Sequence, residues 1–193
     1  VAAFTTSTGY GIAKYDNPEE LSVSDRNNIG YQYTDCPLYW ISVIYLNFAE
    51  AKAEMGSLTQ DDLNNSINKL QARAGLPAMT TTPDADPANN MGVSNLIWEI
   101  RRCRRCELIM DNWYRYWDLI RWHQLDKLDS TKYPNTMLGA NVSNVPDCEE
   151  TTKNGYIDAS DAQIRTYEAK HYFYPIPTTQ LTLNKNMKQN PGW

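Results

Sequence analysis

Between Glu99 and Trp122 the chain reads EIRRCRRCELIMDNWYRYWDLIRW, six Arg and five aromatic residues on a helical pattern that breaks once, at Asp111-Asn112. On a solvated face, a basic run this dense suits nucleic acid. Here the Arg residues alternate with Ile, Leu, Cys and Trp in a chain of net charge -5. That combination predicts a buried, ion-paired helix pair and no nucleic-acid partner. On a wheel of ~100° per residue, Leu96, Ile100, Cys103 and Met110 share one side with Glu107. Ile97 and Leu108 fall on another side, beside Arg101, Arg104 and Arg105. A helix apolar on two sides is sandwiched between neighbours. Its Arg residues then need carboxylates, because an unpaired buried charge costs several kcal/mol. Glu50, Glu54, Glu107, Asp111 and Asp118 are the candidates. A simply solvated Arg face is the competing reading, and the spacing leaves it open.

The rest of the chain supports a mainly α fold of antiparallel helix hairpins, of the tetratricopeptide-like α-α superhelix type, with long irregular loops. Residues 1–193 read as one domain. Residues 1–36 form an irregular or extended lead-in. A first hairpin spans 37–75: a helix starting at Pro37, with Leu38, Ile41, Tyr45 and Phe48 on one stripe, stops at Gly56. Its partner starts at Thr59, where Asp62 completes a capping box, carries Leu63, Ile67, Leu70 and Ala74, and ends at Gly75 and Pro77. A second hairpin spans 94–128, with helices from about Ser94 to Met110 and from about Trp113 to Leu128. Two hairpins of roughly 35 residues are close to the tetratricopeptide period of 34. Residues 129–170 form a long loop with an Asn154-Gly155 turn. The tail, 171–193, is held extended by Pro175 and Pro177, straps across the helices and makes a helical turn near Thr178. Two hairpins are fewer than the roughly three repeats a solenoid needs, so an apolar face is expected to stand exposed and to drive self-association.

Several function classes lose support. No apolar run is long enough to cross a bilayer, and no signal segment stands at Val1, which leaves a cytosolic chain or a mature piece. No Gly-rich phosphate loop, HExxH or GxSxG occurs, and neither metal nor cofactor is expected. Cys103-Arg-Arg-Cys106 has redox or half-zinc spacing, but a redox Cys belongs at a helix N-terminus and Cys103 lies inside the helical pattern. Two packed thiols is the favoured reading. The pairing of Cys36, Cys103, Cys106 and Cys148 stays open. A glycoside hydrolase needs two carboxylates set across a cleft, which sequence alone does not show.

Short stretches spread along the chain resemble one family in order. Tyr45-Leu46-Asn47-Phe48-Ala49-Glu50-Ala51 is similar to its YLNYAEA pattern, and Arg73-Ala74-Gly75-Leu76-Pro77 to its RxRAGLP. Glu107-Leu108 with Arg115-Tyr116-Trp117-Asp118-Leu119-Ile120-Arg121-Trp122 is similar to EL…RYWDLxRW. Tyr174-Pro175-Ile176-Pro177 and Gln189-Asn190-Pro191-Gly192-Trp193 are similar to YPIP…QNPG. From about Tyr31 to Trp193 the chain resembles the SusD/RagB family, the nutrient-binding lipoproteins of the Bacteroidetes outer membrane. It departs at Trp40 and Cys103, where many members carry Arg and Glu, and at Gln71, which replaces the first Arg of RxRAG. Asp111-Asn112-Trp113-Tyr114 is one residue longer than the usual EG-x. Glu50, Arg73, Glu107, Arg115, Asp118, Arg121 and Trp122 carry the structural part of the pattern.

The resemblance implies a non-catalytic cell-surface protein that binds glycan or another nutrient. It implies delivery of oligosaccharide to a SusC-like TonB-dependent transporter in the outer membrane. Contact with the membrane is through a lipid anchor outside this chain, which corresponds to the C-terminal part of such proteins. A helical-repeat interaction scaffold without sugar binding is the alternative. Sugars are gripped by flat aromatic faces with a few polar groups. Trp113, Trp117 and Trp122 stand at helical spacing, which favours core packing. Tyr31, Tyr33, Tyr133 and Tyr156 sit in polar, Gly- or Pro-flanked loops and are the expected ligand contacts.

Overall fold

The computed structural model describes residues 6–12, 14, 19, 21–28, 30, 37–146 and 148–193. Among them run α1 (Val23–Asn27), α2 (Ile41–Glu54), α3 (Gln60–Asn64), α4 (Ile67–Arg73), α5 (Asn95–Glu107) and α6 (Tyr114–Arg121). These are followed by β1 (Leu138–Asn141), β2 (Thr152–Lys153), β3 (Tyr156–Asp158) and α7 (Thr178–Leu183), with 3-10 turns at Leu125–Leu128 and Ala169–Tyr172. The chain divides into two compact units, Pro37–Arg121 and the remainder. The helical unit is mainly α, as the stripe spacing predicts.

In the helical unit, α2 packs on α4 and α5, and α4 packs on α3 and α5. Leu46, Ala49, Leu63, Ile67, Leu70, Met79, Ile100 and Leu108 make its core. Leu46, Leu63, Ile67 and Ile100 are fully buried, each worth roughly 1.5–3 kcal/mol of removed apolar surface. The capping box forms at α3: the Asp62 amide donates to the Thr59 hydroxyl at 3.1 Å and the Thr59 amide donates to the Asp62 carboxylate at 2.9 Å. Ser94 caps α5, its hydroxyl accepting from the Ile97 amide. Gly75 ends the hairpin at φ +68, a left-handed conformation that glycine adopts without strain. Buried Asn68 then clamps the departing chain, accepting from the Met79 amide at 2.7 Å and donating to its carbonyl at 3.1 Å.

The boundaries differ from the sequence expectations in instructive ways. The first helix starts at Ile41 after an extended Trp40, not at Pro37. Its partner is two helices, because the chain turns at Asn65-Ser66 and the Ser66 hydroxyl donates to the Asp62 carbonyl at 2.6 Å, local bonding that competes with helix. Helix α5 ends at Glu107, so Met110 lies beyond it, 63 % exposed, and not on the stripe of Leu96 and Ile100. Between α5 and α6, Met110, Asn112 and Trp113 all take positive φ. Helix α6 stops at Arg121 and gives way to the 3-10 turn, short of Leu128. Along α2, Ile41, Ile44 and Phe48 stand exposed, opposite the buried Ser42, Leu46 and Ala49.

Among its described residues, the other unit shows more side-chain hydrogen bonds than buried apolar side chains. The segment expected to be loop carries a three-stranded antiparallel sheet of order β1-β3-β2. Leu138 faces Asp158 and Lys153 faces Tyr156, with an irregularity between Leu138 and Asn141. Asn154 and Gly155 join β2 to β3, both at positive φ, the geometry of a tight hairpin turn. Gly139 is required where the Thr8 carbonyl accepts from the Ala140 amide at 2.8 Å, since a Cβ at 139 collides with the Thr8 backbone. Asp129 ties the turn at Leu125–Leu128 to the loop at Tyr167, accepting from the Thr131, Lys132 and Tyr167 amides and the Thr131 hydroxyl. In the tail, Gln189 exchanges two hydrogen bonds with the Ile176 backbone, and the Trp193 indole donates to the Lys170 and Phe173 carbonyls. Residues 174–177 carry no regular secondary structure, and α7 begins at Thr178.

Candidate functional site

The chemically richest place in the helical unit is where α2, α5 and α6 bring three carboxylates and three guanidiniums together. Glu50 lies one turn beyond Leu46 on α2 and is 3 % exposed. Asp118 and Arg121 are one turn apart on α6, and so are Arg101 and Arg104 on α5. Arg104 Nε donates to Asp118 Oδ2 at 2.6 Å, with both side chains buried, and Arg104 Nη1 donates to Asn47 Oδ1 at 2.7 Å. Arg121 Nε donates to Asp118 Oδ1 at 3.0 Å, and its two terminal nitrogens donate to the two oxygens of Glu50 at 3.1 and 2.5 Å. Arg101 reaches Glu50 and Glu54, each at 3.4 Å. Partial burial pulls the Arg121 guanidinium down, but its bonds to Glu50 and Asp118 outweigh this and hold it above its usual value. Bidentate pairing of this kind fixes geometry as well as charge.

Above this network lies an open cleft of about 410 Å³, lined by Asn47, Ala51 and Glu54 of α2, Arg104 of α5, and Tyr114, Trp117 and Arg121 of α6, with Glu50 and Asp118 at its base. The Arg104 guanidinium sits 5.8 Å from the Tyr114 ring centre. Glu50 and Asp118 both accept from Arg side chains, which occupies the oxygens that a general acid or base needs for substrate.

Other motif residues lie around it. Arg73 of α4 donates to both oxygens of Glu107 on α5. Arg115 is half-buried and, among the described residues, makes no ion pair; burial and nearby Arg105 push it down to about 10, with Asp118 acting the other way. It was expected to be paired. Its place on the half-buried side of α6 leaves it out of the carboxylate cluster. Trp122, in the other unit, is 8 % exposed. Trp113 and Trp117 are 81 % and 54 % exposed, against the core packing their spacing suggests. Trp113 stands at φ +59 in the break before α6, and Leu119 and Asp118 take the buried side of that helix.

Of the four expected ligand contacts, Tyr31 and Tyr33 lie outside the described residues. Tyr133 is partly buried: Lys127 Nζ donates to its hydroxyl at 2.7 Å and lies 4.3 Å from its ring centre. Tyr156 stands on β3, 38 % exposed. A second, smaller hollow of about 200 Å³ is lined by Thr131, Pro134, Lys153, Asp158 and Gln163 among others, so it adjoins the sequence positions of both tyrosines. The sequence did not single out Asn47 or Tyr114 as lining residues, and helical spacing assigned Trp117 to core packing. Trp117 recurs with Tyr114 and Arg121 at three- and four-residue steps, and that line, offset from Leu119, was the available signal.

Cys103 is half-buried and its thiol is pushed up to about 12, chiefly by burial, with Glu107 and Cys106 adding to it. Cys106 is exposed, and Cys103, Cys106 and Cys148 are unbridged. Among the described residues no cluster of three His, Cys, Asp or Glu could hold a metal ion, and no helix is long and apolar enough to cross a membrane.

Comparison with known proteins agrees with the motif reading. The model of the SusD family matches residues 1–193. Comparison with curated proteins gives no match. Among solved structures, a SusD-like protein from Bacteroides fragilis is similar at TM-score 0.53 and 24% identity, over 81% of this chain and 25% of that one. The solved protein BT4246 is similar at TM-score 0.56 and 27% identity, over 81% of this chain and 23% of that one. The chain therefore spans about a quarter of the length of these two proteins.

Proposed function

The chain belongs to the SusD family, and from that membership we propose that it is part of a non-catalytic, cell-surface protein that binds glycan or another nutrient. The family match along all 193 residues carries the reading. The whole protein is proposed to be held at the outer membrane by a lipid anchor and to pass oligosaccharide to a SusC-like TonB-dependent transporter. Ligand contacts are proposed at Tyr31, Tyr33, Tyr133 and Tyr156. For Tyr156 the support is an exposed ring on a sheet; for Tyr133 it is a half-buried ring held by Lys127. Rigid aromatic faces with nearby polar groups are what sugar recognition uses.

Native affinity electrophoresis through gels containing different neutral and acidic polysaccharides tests the reading. Retardation by at least one polysaccharide, lost in the Tyr133→Ala/Tyr156→Ala double variant, is the expected result. Uniform mobility in every gel would count against glycan binding.

A second reading has one observation in its favour. Ile41, Ile44 and Phe48 make an exposed apolar stripe on α2, as a helical scaffold that binds protein through a groove requires. Concentration-dependent self-association, abolished by Ile44→Asp, together with no polysaccharide retardation, is the pattern that favours it.

A further inference from the structure

Resting on the nutrient-binding reading, we infer that the α2–α6 cleft is a second saccharide site, one that takes an uncharged pyranose with Trp117 as its stacking face. The volume of about 410 Å³ falls in the range of small-molecule sites, about 300–1,000 Å³. Trp117 lines it with more than half its surface open, and Tyr116 meets that ring edge-to-face at 5.5 Å between centres. A pyranose has an apolar C–H face and a rim of hydroxyls, so it needs a flat ring beneath and planar polar groups at the side.

The cleft supplies those groups already oriented. Asn47 gives its carbonyl oxygen to Arg104, which fixes the amide and leaves both of its N–H hydrogens for a ligand. Glu54 presents a carboxylate that is about half exposed, its side chain 51% accessible, with only a 3.4 Å contact to Arg101. Donor and acceptor thus stand two turns apart on one helix, a rigid support for hydroxyls at either end of a sugar ring. The charge balance sets the ligand class. Among the described residues, Glu50, Glu54 and Asp118 are matched in number by Arg101, Arg104 and Arg121 in their ion pairs. An anionic sugar meets the open Glu54 carboxylate, and a cationic one has to compete with guanidiniums already paired. A neutral ring disturbs neither.

Isothermal titration of the whole chain with malto-, cello-, manno- and xylohexaose, and with hexagalacturonate, tests the assignment. The expected result is binding of a neutral hexaose with an affinity unmoved by added salt. Trp117→Ala weakens it about tenfold, and Trp117→Phe, which keeps a flat ring, by about threefold or less. Should Trp117→Ala fold poorly, the exposed and nearly isosteric Asn47→Asp removes the amide donors and weakens binding about fivefold. Preference for hexagalacturonate, or strong salt dependence, overturns the ligand class. A neutral hexaose whose binding survives both Trp117→Ala and Asn47→Asp but is lost in Tyr156→Ala overturns the cleft and leaves the nutrient-binding reading standing. If none of the five binds and no polysaccharide retards the chain, both fall.

Discussion

The two units of this chain reach order by different means. The helical unit buries a continuous aliphatic cluster from Leu46 to Leu108 and closes it with Arg–carboxylate pairs. In the other unit the buried apolar residues are fewer, with Leu21, Trp122, Leu125 and Ile157 the main ones among the described residues. There the work falls to local polar knots: Asp129 with four donors, Asp158 accepting from the Ser160 amide and hydroxyl, and the Gln189 clamp on Ile176. Burial acts in bulk and tolerates sequence drift. Knots act at single atoms and do not, so the second unit should depend on a few residues whose side chains look unremarkable.

That contrast can be broken or sharpened by substitution, reading urea unfolding together with site-resolved hydrogen exchange. Leu46→Ala removes a fully buried side chain and should cost about 4 kcal/mol, with lost protection concentrated in α2 and α5. Equal loss in both units would show that they do not differ in how they are held. Asp118→Ala strips a partner from both Arg104 and Arg121 and should cost about 3 kcal/mol; a loss below ~0.5 kcal/mol fits a solvated pair instead. Gly139→Ala drives a Cβ against the Thr8 backbone and should cost about 2 kcal/mol, with protection falling in β1 and β3 while the helices hold. Smaller again is a pH effect. Hydrogen bonds from Thr131 and Tyr167 hold the Asp129 carboxyl at about 2, below its ordinary 3.8. Its stabilising contribution is therefore complete above the ordinary value and is lost as pH falls toward about 2. Asp129→Asn should flatten the acid-induced loss of protection at Tyr167, and an unchanged profile would assign that loss to other carboxylates. The smallest effect is expected at Met110, at φ +63. Met110→Gly relieves left-handed strain and should stabilise by about 0.5 kcal/mol.

What could be read from the sequence follows the same division. The hairpins were legible because burial repeats at helical spacing, and the Thr59–Asp62 box and the Gly75 stop are local signals that nothing nearby overrides. Glu50, Glu54, Glu107 and Asp118 were recognisable as carboxylates for the Arg run. Their pairing was not, since it depends on how three helices face one another. The sheet was hidden because Leu138-Gly139-Ala140-Asn141 and Thr152-Lys153 are short and poor in β-branched or aromatic residues. Its first strand also donates to Thr8, well over a hundred residues away in sequence, and no window along the chain sees that. The Trp113 and Trp117 rings misled because helical spacing says which residues share a side but not whether that side is covered.

The half-buried Cys103 beside the open Cys106 makes α5 its own reporter. With its thiol held near 12, Cys103 carries almost no thiolate at neutral pH and resists alkylating reagents, while Cys106, one turn along, stays within their reach. A maleimide pulse on the native chain should therefore mark Cys106 and pass over Cys103. Slower labelling of Cys103 than of Cys106 then reports how well the packing of α5 shields that thiol.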